Sequence, residues 1–170
     1  MNAYLIEQPT VSVRDEQPYV GVSRSVTMET LHEIADLVPW AIGRLAGLGI
    51  APAGPPFLRY HVIDMKNLLE VEAGVPVATT RELPTDSGLS AGVLPGGRYL
   101  TAVCAGTADV AVTRDFLEWA RAHGMEWDRK ETPSGDRWGC RLERFLTNPA
   151  EEPNPEKWRT ELAFRLADGA

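Results

Sequence analysis

The 170-residue chain has two cysteines, Cys104 and Cys140. They make neither a metal-ligand spacing nor a disulfide framework, so both read as reduced packing residues. The three histidines, His32, His61 and His123, lie far apart and in no zinc spacing. No run of about 18 apolar residues exists, which excludes a membrane-spanning helix. Met1 to Thr10 lacks a basic start followed by an apolar run, so no secretory signal is read and a cytoplasmic location is expected. Gly96-Gly97 is followed by Arg98-Tyr99, not by Lys-Ser/Thr, so there is no phosphate loop. A Gly-x-Ser-x-Gly elbow is missing too. Positive charge is in short supply: 17 Lys+Arg stand against 24 Asp+Glu, a net charge of −7. That balance argues against direct nucleic-acid binding, which needs a basic surface. It is compatible with a cationic ligand, and it also simply keeps a protein soluble.

Hydrophobic residues make up 44% and charged residues 24%, as in an ordinary globular domain. Tyr19–Val26 reads as a strand by its β-branched residues. Leu31, Ile34, Ala35 and Val38 have helical spacing, with Thr27 or Thr30 as cap. Pro39 predicts a break and a second helix to about Leu48, stopped by Gly49. Phe57–Asp64 and Leu68–Val77 read as strands around a turn at Lys66-Asn67, the second ending at Pro76. Arg81–Ser87 is a polar connection. Leu89–Thr107 is a strand pair or one bent strand, broken at Leu94-Pro95-Gly96-Gly97. Asp109–His123 is the clearest helix, with Val112, Phe116, Trp119 and Ala120 on one face and Gly124 as stop. His123 suits the helix C-terminus, and His61 is expected at the surface. Trp127–Gly135 reads as a loop, and Trp138–Leu146 with Trp158–Ala167 as a final strand pair.

This order repeats. Strand, helix, strand, strand occurs once before residue 80 and again after residue 88, with Tyr-Val-Gly-Val-Ser echoed by Tyr-Leu-Thr-Ala-Val. The expectation is an α+β fold: duplicated β-α-β-β modules forming a pseudo-twofold antiparallel sheet, helices on one face, and a central ligand groove. Residues 1–16 form an N-terminal extension, 17–167 a single domain, with modules at about 17–80 and 88–167.

Aromatics and acids share the inner strands. Phe57 and Tyr60 lie on one strand, Trp138 and Phe145 on another, and Trp158 and Phe164 flank the last. Glu70 and Glu72 accompany the first pair of strands, Glu143 and Glu161 the second. A carboxylate among aromatic faces holds a flat organic cation. In a dry pocket such a carboxyl has a raised pKa and serves as a general base. The plain alternative is that each Glu lies on a wet sheet face and each Trp in the core.

Five segments carry a resemblance. They are Gly54-Pro55-Pro56-Phe57-Leu58-Arg59-Tyr60, Val71-Glu72-Ala73-Gly74-Val75-Pro76-Val77 and Leu94-Pro95-Gly96-Gly97-Arg98-Tyr99. Leu142-Glu143-Arg144-Phe145-Leu146-Thr147-Asn148-Pro149 and Trp158-Arg159-Thr160-Glu161-Leu162 complete the set. In this order the sequence resembles the GyrI-like small-molecule-binding family, also found as the effector-binding half of AraC-type and MerR-type regulators. The resemblance implies the same duplicated fold. It also implies an aromatic pocket with an acid for hydrophobic or cationic small molecules. The implied ligand-binding residues are Phe57, Tyr60, Trp138, Glu143, Phe145, Trp158 and Glu161, with no cofactor and no metal. Phe145 and Ala163 depart from the family, where tyrosines are frequent. Residues 1–16 are too few for a helix-turn-helix, so a stand-alone drug-binding member is expected. Some stand-alone members hydrolyse cyclopropane-bearing DNA-alkylating natural products. For that reaction Glu161 or Glu143 would act on water and Tyr60 would donate to the oxyanion. A third reading is a protein-interaction modulator of DNA gyrase.

Overall fold

A computed structural model describes residues 5–169. The strands are β1 (Thr10–Arg14), β2 (Gln17–Val26), β3 (Phe57–Ile63), β4 (Leu69–Pro76), β5 (Ser90–Leu94), β6 (Gly97–Ala105), β7 (Arg129–Thr132), β8 (Gly135–Trp138), β9 (Arg141–Phe145) and β10 (Arg159–Arg165). The helices are α1 (His32–Gly47) and α2 (Val110–Ala122). The strands form one antiparallel sheet in the order β1-β6-β10-β9-β3-β4-β2-β5, with the β7-β8 hairpin joined to it through β3.

That order is a palindrome. Exchanging β1 with β5, β2 with β6, β3 with β9 and β4 with β10 reproduces it from the other end. The pseudo-twofold passes between β3 and β9, where Leu58 faces Glu143, Phe57 faces Arg144 and Arg59 faces Leu142. Residues 57–60 (Phe-Leu-Arg-Tyr) therefore correspond to 142–145 (Leu-Glu-Arg-Phe). One strand outward, Arg59 faces Glu72 and Arg144 faces Glu161. The repeated topology expected from the element order is present.

Strand alternation gives the sheet two unlike faces. On one face α1 packs over Leu58, Tyr60, Val71 and Ala73, with Ile34 at the centre of that cluster. On the same face α2 packs Val112, Phe116 and Ala120 over Leu100, Ala102, Leu162 and Phe164. α1 thus lies over β2, β4 and part of β3, α2 over β6 and β10, and β9 runs between the two helices beside β3. The other face carries a smaller core of Tyr19, Phe57, Tyr99, Leu142 and Ala163. There Phe57 lies over Gly74, its register partner, whose missing side chain leaves room for the ring.

α2 follows its sequence signals. The Asp109 side chain accepts from the Val112 N–H at 2.9 Å, a cap of the usual kind. His123 ends the helix, with Nδ1 donating to the Trp119 carbonyl at 2.8 Å and its ring stacked on Trp119. Gly124 takes a φ of +70°, a conformation that favours glycine.

Four expectations are corrected. Pro39 does not break α1, which is one helix from His32 to Gly47. Pro39 and Ala35, the residue whose carbonyl loses its helical donor, are both exposed, so water can take the place of the missing N–H. Thr27 and Thr30 do not cap α1; they bond each other's backbone N–H one turn earlier. The stretch 127–135 is not all loop, since it contains β7 and the turn into β8. Residues 10–14, inside the segment read as an extension, form β1 on the sheet edge against β6.

Candidate functional site

The floor between the helices is built from β3 and β9. Arg141, Glu143 and Phe145 alternate along β9 toward the helices, and Tyr60 does so from β3. The Tyr60 hydroxyl donates to Glu143 Oε1 at 3.0 Å. Tyr60 is buried, and burial beside a carboxylate holds its phenol well above the ordinary value. The Glu143 side chain is densely surrounded yet partly accessible. Burial pushes its carboxyl up to about 7, against the opposing pull of the Tyr60 hydrogen bond and the Arg141 charge. Near neutral pH it therefore occurs in both forms.

Glu143 also breaks the internal symmetry. Its mate across the pseudo-twofold is Leu58, which is 5% exposed and lies in the core under α1. A carboxyl where the mate has an apolar side chain costs desolvation that the fold does not require.

Trp138 and Phe164 form the wall on the α2 side, their rings 5.5 Å apart and edge to face. Arg141 lies against them. Its guanidinium carbon is 4.5 Å from the Phe164 ring centre, 4.7 Å from Trp138 and 5.7 Å from Tyr60. Burial lowers its pKa to about 10, so it remains charged at neutral pH.

The structure separates the residues singled out from the sequence. Tyr60, Trp138, Glu143 and Phe145 lie on the helix side. Phe57 and Glu161 lie on the opposite face. Glu161 is held there by Arg14 at 2.9 Å and Arg144 at 2.6 Å. Phe57, Arg14 and Arg144 line a recess of about 490 Å³ on that face. Trp158 is committed locally, its indole N–H donating to the Glu152 carbonyl at 2.7 Å. His61, expected at the surface, is half-buried, its Nε2 2.8 Å from Glu72 Oε1, which also accepts from Tyr19 at 2.6 Å. Arg141 and Phe164 were not among the sequence-derived site residues. The alternation Arg141-x-Glu143-x-Phe145 was the available signal, since residues two apart on a strand share a face.

Ten antiparallel strands with two helices on one face are a known arrangement. The chain aligns over 96% of its length with 99% of the crystal structure of the EcmrR C-terminal domain, at a TM-score of 0.73 and 16% identity. It has the fold of that domain. Compared with EcmrR in its DNA complex, the chain spans 57% of the longer protein, at a TM-score of 0.72 and 14% identity. SAV2435 bound to tetraphenylphosphonium is similar over 95% of both chains, with a TM-score of 0.61 and 9% identity. A hydrolase from Listeria innocua is similar over 94% of this chain and 92% of its own, with a TM-score of 0.57 and 14% identity. No protein-family model matches the sequence, and no curated protein is significantly similar to it. The GyrI-like fold implied by the five sequence segments is the fold found.

Proposed function

We propose that this chain binds flat, hydrophobic small molecules between α1 and α2, over β9 and β3. The ligand would meet Tyr60, Glu143 and Phe145, with Trp138 as the side wall. The observation that carries this reading is Glu143, an acid at a position whose symmetry mate is a core leucine. The fold shared with a tetraphenylphosphonium-bound protein supports it. The test is titration with Nile red, a neutral flat dye that brightens in apolar surroundings. Micromolar binding is expected, weakened about tenfold by Phe145→Ala through lost aromatic contact. Glu161→Gln, on the opposite face, should leave it unchanged. Absence of binding, or equal loss in both variants, would refute the reading.

A second reading is favoured by the same carboxyl. With a pKa near 7 and a phenol at 3.0 Å, Glu143 is suited to accept a proton from a water attacking a strained electrophilic ring. One of the similar structures is a hydrolase. Incubation with a cyclopropane-bearing alkylator should add one water by mass spectrometry. The rate should rise with pH through about 7 and collapse in Glu143→Gln. A pH-independent rate, or one that survives Glu143→Gln, would exclude this role.

A further inference from the structure

The aromatic corner beside Glu143 already holds a cation. Arg141 faces the Phe164, Trp138 and Tyr60 rings at 4.5, 4.7 and 5.7 Å. Those are the faces a cationic ligand would use, and a second positive charge there would be repelled.

The same guanidinium is unspent as a donor. Its Nε is buried and has no hydrogen-bond partner. Among the described residues, its side chain makes no hydrogen bond and no salt bridge. Three other arginines of the sheet are paired with acids: Arg14 and Arg144 with Glu161, Arg165 with Asp128 and Asp168. Glu143 does not play that part for Arg141. It accepts from Tyr60, and burial favours its neutral form. A buried donor without an acceptor is costly, and such groups call for a partner from outside the chain.

Geometry restricts that partner. The guanidinium is flanked by the Phe164 and Trp138 rings, so an acceptor must reach it at its N–H groups. A carboxylate meets a guanidinium with two parallel bonds.

We propose that Arg141 determines the specificity of the groove: it selects ligands that carry a carboxylate beside a flat aromatic body, and rejects ligands with a fixed positive charge. The proposal rests on the groove reading given above and inverts the charge preference that the sequence resemblance implies.

Three probes of one shape test it: 2-naphthoate, 2-naphthylmethanol and 2-naphthylmethylammonium, titrated calorimetrically into the full chain. The wild type should bind the carboxylate at least about tenfold more tightly than the ammonium, as one charge-assisted bidentate contact requires. Arg141→Met keeps the stem and removes the charge. It should lose about tenfold for the carboxylate, change little for the alcohol and gain for the ammonium. Arg141→Lys keeps the charge without the fork, and should lose at least about threefold for the carboxylate alone. That variant decides the matter should Arg141→Met fail to fold. In the wild type, the Arg141 Nε–H resonance should shift on adding 2-naphthoate. A tighter ammonium complex, or unchanged carboxylate affinity in the variants, would overturn the proposal while alcohol binding still upheld the groove. Failure of all three probes to bind would overturn both.

Discussion

At the scale of single residues, Glu143 is the side chain on which most depends. Its carboxyl sits near 7 in the folded chain, against the ordinary value near 4.5. Between these values the folded state binds more protons than the unfolded one, so stability falls as pH rises. The penalty is complete above about 7, where both states are ionised. Glu143→Gln removes it. The variant should gain on the wild type by on the order of 1–3 kcal/mol at pH 8, and the gain should shrink as pH falls and vanish below about pH 4. Urea unfolding at both pH values measures this, and a pH-independent difference would contradict the assigned burial. Tyr60 acts in the opposite sense, since its hydrogen bond favours the ionised form. Tyr60→Phe should therefore raise the Glu143 pKa, read directly from the carboxyl carbon resonance during titration.

At the scale of elements, legibility follows the range of the forces involved. α2 can be read from sequence because its cap, apolar stripe and stop are local: Asp109, then Val112, Phe116 and Ala120, then Gly124. β3 and β4 are legible for the same reason, as two apolar-rich runs around a turn. β1 and β7 are not. Both are short and mostly exposed, and they are strands because of a partner far along the chain or across a tight turn. The placement of the candidate residues was legible only in part. Tyr60, Trp138, Glu143 and Phe145 are brought to the helix side, but Glu161 resembles Glu143 in local sequence, and only pairing puts them on opposite faces. Phe57 and Gly74 show how tightly the second face is fitted. A methyl group at Gly74 would meet the Phe57 ring in a fully buried site. Gly74→Ala should cost about 1–3 kcal/mol, as overpacking does, checked by thermal unfolding. A neutral result would mean that Phe57 can move aside.

The whole molecule follows from exchange of edge strands between two similar halves. β1 leaves the first half to pair with β6, and β5 leaves the second to pair with β2. The centre is closed by β3 against β9, and Arg14 ties β1 to Glu161 of β10. A chain cut in the exposed stretch at residues 78–82 breaks none of these pairings. A protease site inserted between Arg81 and Glu82 should therefore cleave to two fragments that still elute together on gel filtration. They should part only in denaturant. Stability should become dependent on concentration, because cutting frees the unfolded state from the entropy of a single chain. Fragments that separate under native conditions would show that the exchanged edges contribute little. The groove floor needs one strand from each half, so ligand binding in the cleaved protein should be lost only when the fragments separate.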